Sequence, residues 1–236
     1  MSEFESNSEP LKWKSFQLTY IEYVEGDLWG KILAVLSLSP LVIALFFMTA
    51  FFIRRDLHTL TYGIGIIVNN ILNTILKKTI KEPRPIKRTE IFEEYGMPSS
   101  HSQFMWFFYF YFVLFIIFRV HHHKFDFVEM CWKISSVVGL GILTILISYG
   151  RLYLQYHTFL QVIIGALIGV SFASIWFFLT HTVFSKYFPM IASWRISEFF
   201  LVRDTSLIPN IFWFEYTSAR VEAKNRSKRT GKPKNS

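Results

Sequence analysis

Residues 158–180, TFLQVIIGALIGVSFASIWFFLT, run for 23 positions without a charged side chain. A helix needs roughly 20 such residues to cross the hydrocarbon core of a bilayer. Residues 32–53 form a second uncharged run of 22. In a chain of 236 residues that is 52% apolar, two runs of this length make lipid the solvent, and a large soluble core is the poorer reading. Weaker runs complete five expected spans, at about 31–53, 58–77, 101–119, 132–149 and 157–180. The expected fold is therefore all-α, a polytopic membrane helix bundle of about five spans, with four to six bracketing the count. It forms one membrane-embedded domain over residues 1–236.

The spans carry their own punctuation. In the second, Asn69, Asn70 and Asn73 are costly against lipid and should face other helices. Asn69, Asn73 and Lys77 recur every four residues, so they form one inward stripe that delivers Lys77 to the membrane surface. The short fourth span borrows Trp132 and Tyr149 as interfacial anchors. Residues 181–216 are aromatic but broken by Lys186, Pro189, Arg195, Glu198, Arg203, Asp204 and Pro209, which fits packing at the interface better than a sixth crossing. The aromatic run at 104–118 suits the lining of a lipid groove, but lipid-facing packing explains it better.

Net charge is +8, and its placement matters more than its sum. Arg54 and Arg55 follow the first span, while Arg119, Lys124 and Lys133 flank the connector after the third. Residues 220–234 carry seven Lys/Arg against one Glu. With five spans these groups share one side, and the positive-inside rule makes it cytosolic, with 217–236 a basic tail. The N-terminus, with six acidic residues against two Lys in residues 1–30, the 78–100 loop and the 150–156 turn then lie on the opposite face. The first 31 residues lack the pattern of a cleavable signal peptide, and the single Cys131 excludes an internal disulfide. The His121–His122–His123 run reads as a solvated connector.

Three segments on that opposite face carry chemistry: Lys77 through Arg84-Pro85, then Pro98-Ser99-Ser100-His101, then Arg151 with His157 and Gln161 after it. Arg151 is the one Asp, Glu, Lys or Arg between Ile134 and Thr180, and a charge so near the membrane is kept for a partner. Cations, two histidines and a Ser-rich helix start suit phosphoryl transfer, where the protein's task is positioning and charge stabilisation. Guanidinium forks match phosphate oxygens, and the amides near Ser99 and Ser100 add a helix-terminus anion site. One histidine can attack phosphorus while the other protonates the departing oxygen. No Cys/His/carboxylate ligand set stands near them, so neither a metal nor another cofactor is implied.

The same residues resemble the signature of the type 2 phosphatidic acid phosphatase superfamily. Lys77, Arg84 and Pro85 match its first segment, Pro98, Ser99 and His101 its second, and Arg151 and His157 its third. The resemblance implies His157 as nucleophile, His101 as general acid, and Lys77, Arg84, Ser99 and Arg151 as phosphate ligands. Three positions depart from the pattern: Ser100 stands for Gly, Gly150 for Ser, and Gln161 for the Asp that orients the nucleophile. Residues 95–106, 151–157 and 203–210 resemble the eukaryotic dolichyldiphosphatase branch of that superfamily, which carries Gln at the last of these positions. That branch implies an enzyme of the endoplasmic reticulum membrane acting on dolichyl diphosphate at the lumenal face, recycling the carrier for N-glycosylation, with no nucleic-acid partner.

Overall fold

A computed structural model describes residues 13–16, 21–86, 95–120, 127–208 and 210–230. The His121–His123 run, Lys124, Glu90, Glu93 and Glu94 lie outside the described residues.

Strands β1 (Trp13–Phe16) and β2 (Ile21–Val24) pair antiparallel, Trp13 opposite Val24. They lead into α1 (Leu28–Leu36) and α2 (Ser39–Arg54), followed by α3 (Leu57–Ile80), α4 (Ser100–Arg119), α5 (Phe127–Tyr153) and α6 (Phe159–Thr182). A 3₁₀ turn at Phe184–Tyr187 precedes α7 (Phe188–Ala192), α8 (Arg195–Phe199) and α9 (Ile211–Thr230). Among the described residues five helical stretches are long and apolar enough to cross a membrane: Leu28–Arg54, Leu57–Ile80, Ser100–Arg119, Met130–Tyr153 and Phe159–Ala192. The chain is thus an all-α multi-pass membrane protein. The fourth span runs past its expected end to Tyr153, with Trp132 and Tyr149 both exposed as anchors should be.

The first span is two helices, not one. Leu41 N bonds Leu38 O at 3.0 Å, so the Ser37 carbonyl is passed over by the helix ladder. Pro40 lies in the first turn of α2, where its missing N–H costs nothing.

Helix α4 sits at the centre, against α2, α3, α5 and α6. Its aromatics face inward: Phe104, Phe107, Phe108 and Tyr111 are buried, and Tyr62 of α3 stacks on Tyr111 at 4.1 Å. The expected lipid-facing role for 104–118 is overturned along most of its length, because α4 is packed on four sides; Ile117 and Phe118 near its far end stay exposed. Its closest neighbour is α6. A Cβ at Gly165 would stand 2.8 Å from Ser99 O, and one at Gly169 would stand 2.5 Å from Gln103 O. Two glycines four apart let the backbones of α4 and α6 approach within hydrogen-bonding range, and Ser102 Oγ bonds Val162 O at 2.8 Å across the seam.

The α3 stripe faces inward as expected, with Asn69, Asn73 and Lys77 all buried. Gln103 of α4 satisfies it. Asn73 Nδ2 donates to Gln103 Oε1 at 2.8 Å, and Gln103 Nε2 donates to Asn69 Oδ1 at 2.9 Å. Asn70, expected to face other helices, is exposed instead. One residue of helix turns it about 100° off the stripe.

At the other end of the bundle, Asp56 caps α3 by accepting from Thr59 N at 3.0 Å. Residues 201–208 return to this end. Arg203 N bonds Arg55 O at 2.7 Å and Leu57 N bonds Arg203 O at 3.1 Å. The segment after α6 therefore folds against the α2–α3 connector. The basic residues 211–230 continue as the exposed helix α9.

Candidate active site

The up-and-down order of the spans brings the end of α3, the start of α4, the end of α5 and the start of α6 to one end of the bundle. All three chemistry-bearing segments meet there. Lys77, Ser99, Arg151 and His157 are each buried to 4% exposure or less, while Arg84 and His101 are partly buried.

The α5–α6 turn explains the five-residue spacing between Arg151 and His157. Tyr156 N and His157 N both bond Arg151 O, at 3.0 and 3.2 Å. Gln155 takes a left-handed φ of 56° to turn the chain. The Arg151 guanidinium lies over the Tyr156 ring, 4.8 Å from its centroid, a cation–π contact that aims the fork. The Tyr156 hydroxyl in turn accepts from Glu22 N at 2.9 Å, which ties the N-terminal hairpin to this turn.

Thr158 and Gln161 then start α6 with a capping box. Gln161 N donates to Thr158 Oγ1 at 3.3 Å, and Thr158 N donates to Gln161 Oε1 at 3.2 Å. The pattern Thr-x-x-Gln before an apolar run is a sequence signal for this cap. Gln161 is fully buried, and its amide does more than cap. His157 Nδ1 lies 3.2 Å from Gln161 Oε1, within hydrogen-bonding reach. Gln161 Nε2 donates to Glu82 Oε1 and to Pro83 O, each at 2.9 Å. Two acceptors at Nε2 and a backbone donor at Oε1 leave one sensible amide orientation. Oε1 is then an acceptor, so His157 Nδ1 carries the proton and the lone pair sits on Nε2.

Burial holds the His157 pKa down at about 3, with the charges of Arg84 and Arg151 adding to the effect and the Gln161 bond opposing it. The imidazole is therefore the neutral, nucleophilic form at physiological pH. Arg151, His157 and Lys77 also act on His101, whose ring hydrogen-bonds the Ser37 backbone. The break between α1 and α2 thus offers a carbonyl to orient the second histidine.

Ser99 precedes α4 without capping it through its side chain. Its hydroxyl is buried and has no hydrogen-bond partner among the described residues. The first amides of α4 lack helix partners by geometry. Together with Lys77, Arg84 and Arg151 they form an anion cradle next to His157. Ser100 is the first residue of α4. Among the described residues no group of three His, Cys, Asp or Glu side chains could hold a metal ion.

Sequence reasoning missed several participants. Glu82, Thr158, Tyr156 and Gly96 all support His157 or Arg151. A Cβ at Gly96 would stand 2.7 Å from Gln161 Oε1, so a larger residue there would push the amide against its hydrogen bonds. The capping-box pattern and the paired glycines on α6 were readable signals; Glu82 had none.

The chain matches the PAP2 superfamily over residues 58–185. It is 48% identical over 229 residues to dolichyldiphosphatase 1 of Rhinolophus ferrumequinum, covering 95% of each chain. The Homo sapiens protein of the same name is 46% identical over 227 residues, again 95% of each. Lipid phosphate phosphatase gamma of Arabidopsis thaliana is 35% identical over 219 residues, 92% of this chain and 95% of the relative. No solved structure matches the chain.

Proposed function

The chain belongs to the PAP2 superfamily and is a membrane-embedded phosphatase, and on that premise we propose that its substrate is dolichyl diphosphate, cleaved to dolichyl phosphate and inorganic phosphate. Similarity over nearly the whole chain to proteins named dolichyldiphosphatase supports the substrate. The observation that carries the mechanism is the hydrogen bond from His157 Nδ1–H to Gln161 Oε1 beside three cations.

The terminal phosphoryl group binds between Lys77, Arg84, Arg151, the Ser99 hydroxyl and the start of α4. His157 Nε2 donates its lone pair to phosphorus, forming a P–N bond. The bond from phosphorus to the bridging oxygen breaks, and His101 gives its proton to that oxygen as dolichyl phosphate leaves. Water then attacks the phosphohistidine, His101 takes a proton from the water, and P–N cleavage returns the lone pair to His157. The cations stabilise charge on the equatorial oxygens in both steps. No step calls for a metal.

The site faces the lumen of the endoplasmic reticulum in this reading, recycling the lipid carrier of N-glycosylation. Arg54, Arg55, Arg119, Arg203 and basic α9 gather at the opposite end, which the positive-inside rule assigns to the cytosol. Lys77 and Arg84 break that rule because they hold phosphate.

A second reading, hydrolysis of lipid phosphate monoesters, is favoured by the match to lipid phosphate phosphatase gamma. One experiment separates them. Purified protein with excess EDTA is given dolichyl diphosphate, dolichyl phosphate and phosphatidate in turn. The expected result is release of one phosphate from the diphosphate alone, abolished in His157→Ala. Preference for phosphatidate overturns the substrate, loss of activity in EDTA overturns the metal-free mechanism, and activity in His157→Ala overturns the nucleophile.

A further inference from the structure

Gln161 stands where the superfamily pattern has Asp, and a neutral amide cannot balance the positive charge that the His157 ring gains as Nε2 bonds phosphorus. The amide is nonetheless joined to a carboxylate. Glu82 Oε1 accepts from Gln161 Nε2 at 2.9 Å, while the far end of the same amide contacts His157 Nδ1 at 3.2 Å. We propose that Glu82 is a positioning residue for the nucleophile, supplying through the Gln161 amide the negative charge that an Asp at 161 would supply directly. The proposal rests on the phosphoryl-transfer role given to His157.

Three observations favour this over an ordinary tie between a loop and a helix. The carboxylate lies in a strongly basic stretch, with Lys77, Lys78, Lys81 and Arg84 nearby in sequence. Among the described residues no cation pairs with it, and its bond goes to the amide instead. Its backbone is also held, because Glu82 O accepts from Gly96 N at 2.7 Å and Pro83 bridges Tyr95. Finally, the amide is locked: Pro83 O takes its other Nε2 proton and Thr158 N meets Oε1. A charged acceptor at one end of a locked amide polarises the other end. Oε1 then becomes a better acceptor for the Nδ1 proton as the ring turns cationic. Two residues apart on one loop, Arg84 holds the phosphate and Glu82 supports the group that attacks it.

The test uses Glu82→Gln, which keeps an acceptor for Gln161 Nε2 and removes the charge. Turnover should fall about tenfold, far less than the ~10⁴ lost with a carboxylate placed directly on a catalytic histidine, because the charge here acts through an intervening amide, with KM and the thermal unfolding midpoint unchanged. In a Gln161→Ala background the same substitution should cost nothing further. Orthovanadate gives a substrate-free readout, since vanadium can accept a fifth ligand and so mimic phosphorus under attack by the His157 nitrogen. Its affinity should weaken in Glu82→Gln and should not weaken further when Glu82→Gln is added to Gln161→Ala. Parent turnover and parent vanadate affinity in Glu82→Gln overturn the proposal. So does an equal cost with and without Gln161, or a loss seen in KM alone. If the vanadate pattern appears but dolichyl diphosphate is not hydrolysed by the unaltered chain, the substrate reading fails and the assignment of Glu82 stands.

Discussion

Replacing Gly165 by alanine adds one methyl group where α6 meets the start of α4. The new Cβ would lie 2.8 Å from Ser99 O, and 3.3 Å from both Ser99 N and Ser102 Cβ. The nearest obstacle is backbone, so no side chain can swing away. To reach an uncompressed contact of about 3.4 Å, the start of α4 must retreat by about 0.6 Å. That retreat stretches Ser99 N–Gln161 O, now 3.1 Å, and Ser102 Oγ–Val162 O, now 2.8 Å. It also carries Ser99 and His101 away from His157, whose position is held by the α5–α6 turn. Overpacking of this kind costs about 1–3 kcal/mol of stability. A misplacement of about 1 Å between reacting groups can cost 10²-fold in rate, so a shift of this size should lower turnover about tenfold.

The assay is turnover of dolichyl diphosphate and the thermal unfolding midpoint in defined micelles, for Gly165→Ala, Gly169→Ala and Gly139→Ala. Gly169→Ala meets Gln103 O at 2.5 Å and Phe107 N at 2.9 Å, so it should lose more stability than Gly165→Ala. A methyl group added at Gly139 would meet nothing within 4 Å, and that alanine variant should match or slightly exceed the parent in stability. If Gly165→Ala keeps parent turnover and an unchanged midpoint, then α4 and α6 do not approach through Gly165 and the account of the site's assembly is wrong.

Because burial holds the His157 pKa at about 3, ring NMR signals of His157 in the free enzyme should not titrate between pH 5 and 8; a midpoint near 6.5 refutes the buried, neutral nucleophile. The same shift sets a sign for stability. The unfolded chain binds this proton below about 6.5 and the folded chain refuses it until about 3, so the contribution is intact above 6.5 and is lost as pH falls toward 3. For sidedness, a glycosylation acceptor engineered near residue 90 should be modified while the native acceptor sequence Asn225-Arg226-Ser227 is not, and glycosylation at Asn225 would place α9 in the lumen.

The spans were legible because lipid imposes a length and a polarity on every crossing, whichever partner a helix later meets. The Asn69–Asn73–Lys77 stripe was legible for the same reason, since polar groups repeating every four residues must turn away from lipid. What hydropathy does not carry is the rank of the helices within the bundle. The aromatics of 104–118 would suit a lipid face or a core equally well. They are core because α4 is surrounded, and the glycines that draw α6 onto it lie on another helix. The break at Ser37 was hidden inside an uncharged run, where Pro40 is as compatible with a helix start as with a kink.

At the site, the residues proposed to hold phosphate could be named because each is a charge or a nucleophile in a segment with no structural need of one. Gln161 was visible as an anomaly, but its contact with His157 is not made along a helix face, because Thr158 caps α6 and His157 lies one residue before the cap. Its second partner was not visible, because Glu82 lies 79 positions earlier in a loop where a carboxylate among lysines reads as local charge balance. Only the fold shows that the carboxylate bonds an amide instead. The departure at 161 then ceases to be a simple loss. A carboxylate directly on Nδ1 would stabilise the imidazolium most strongly, and it would also raise the pKa of a histidine that must stay unprotonated beside three cations. Moving the charge one group outward keeps the lone pair on Nε2 available and still leaves a negative charge behind the ring. Holding it there requires the amide to be locked at both ends, which is why Thr158, Pro83 and Gly96 belong to the site as much as the histidine they surround.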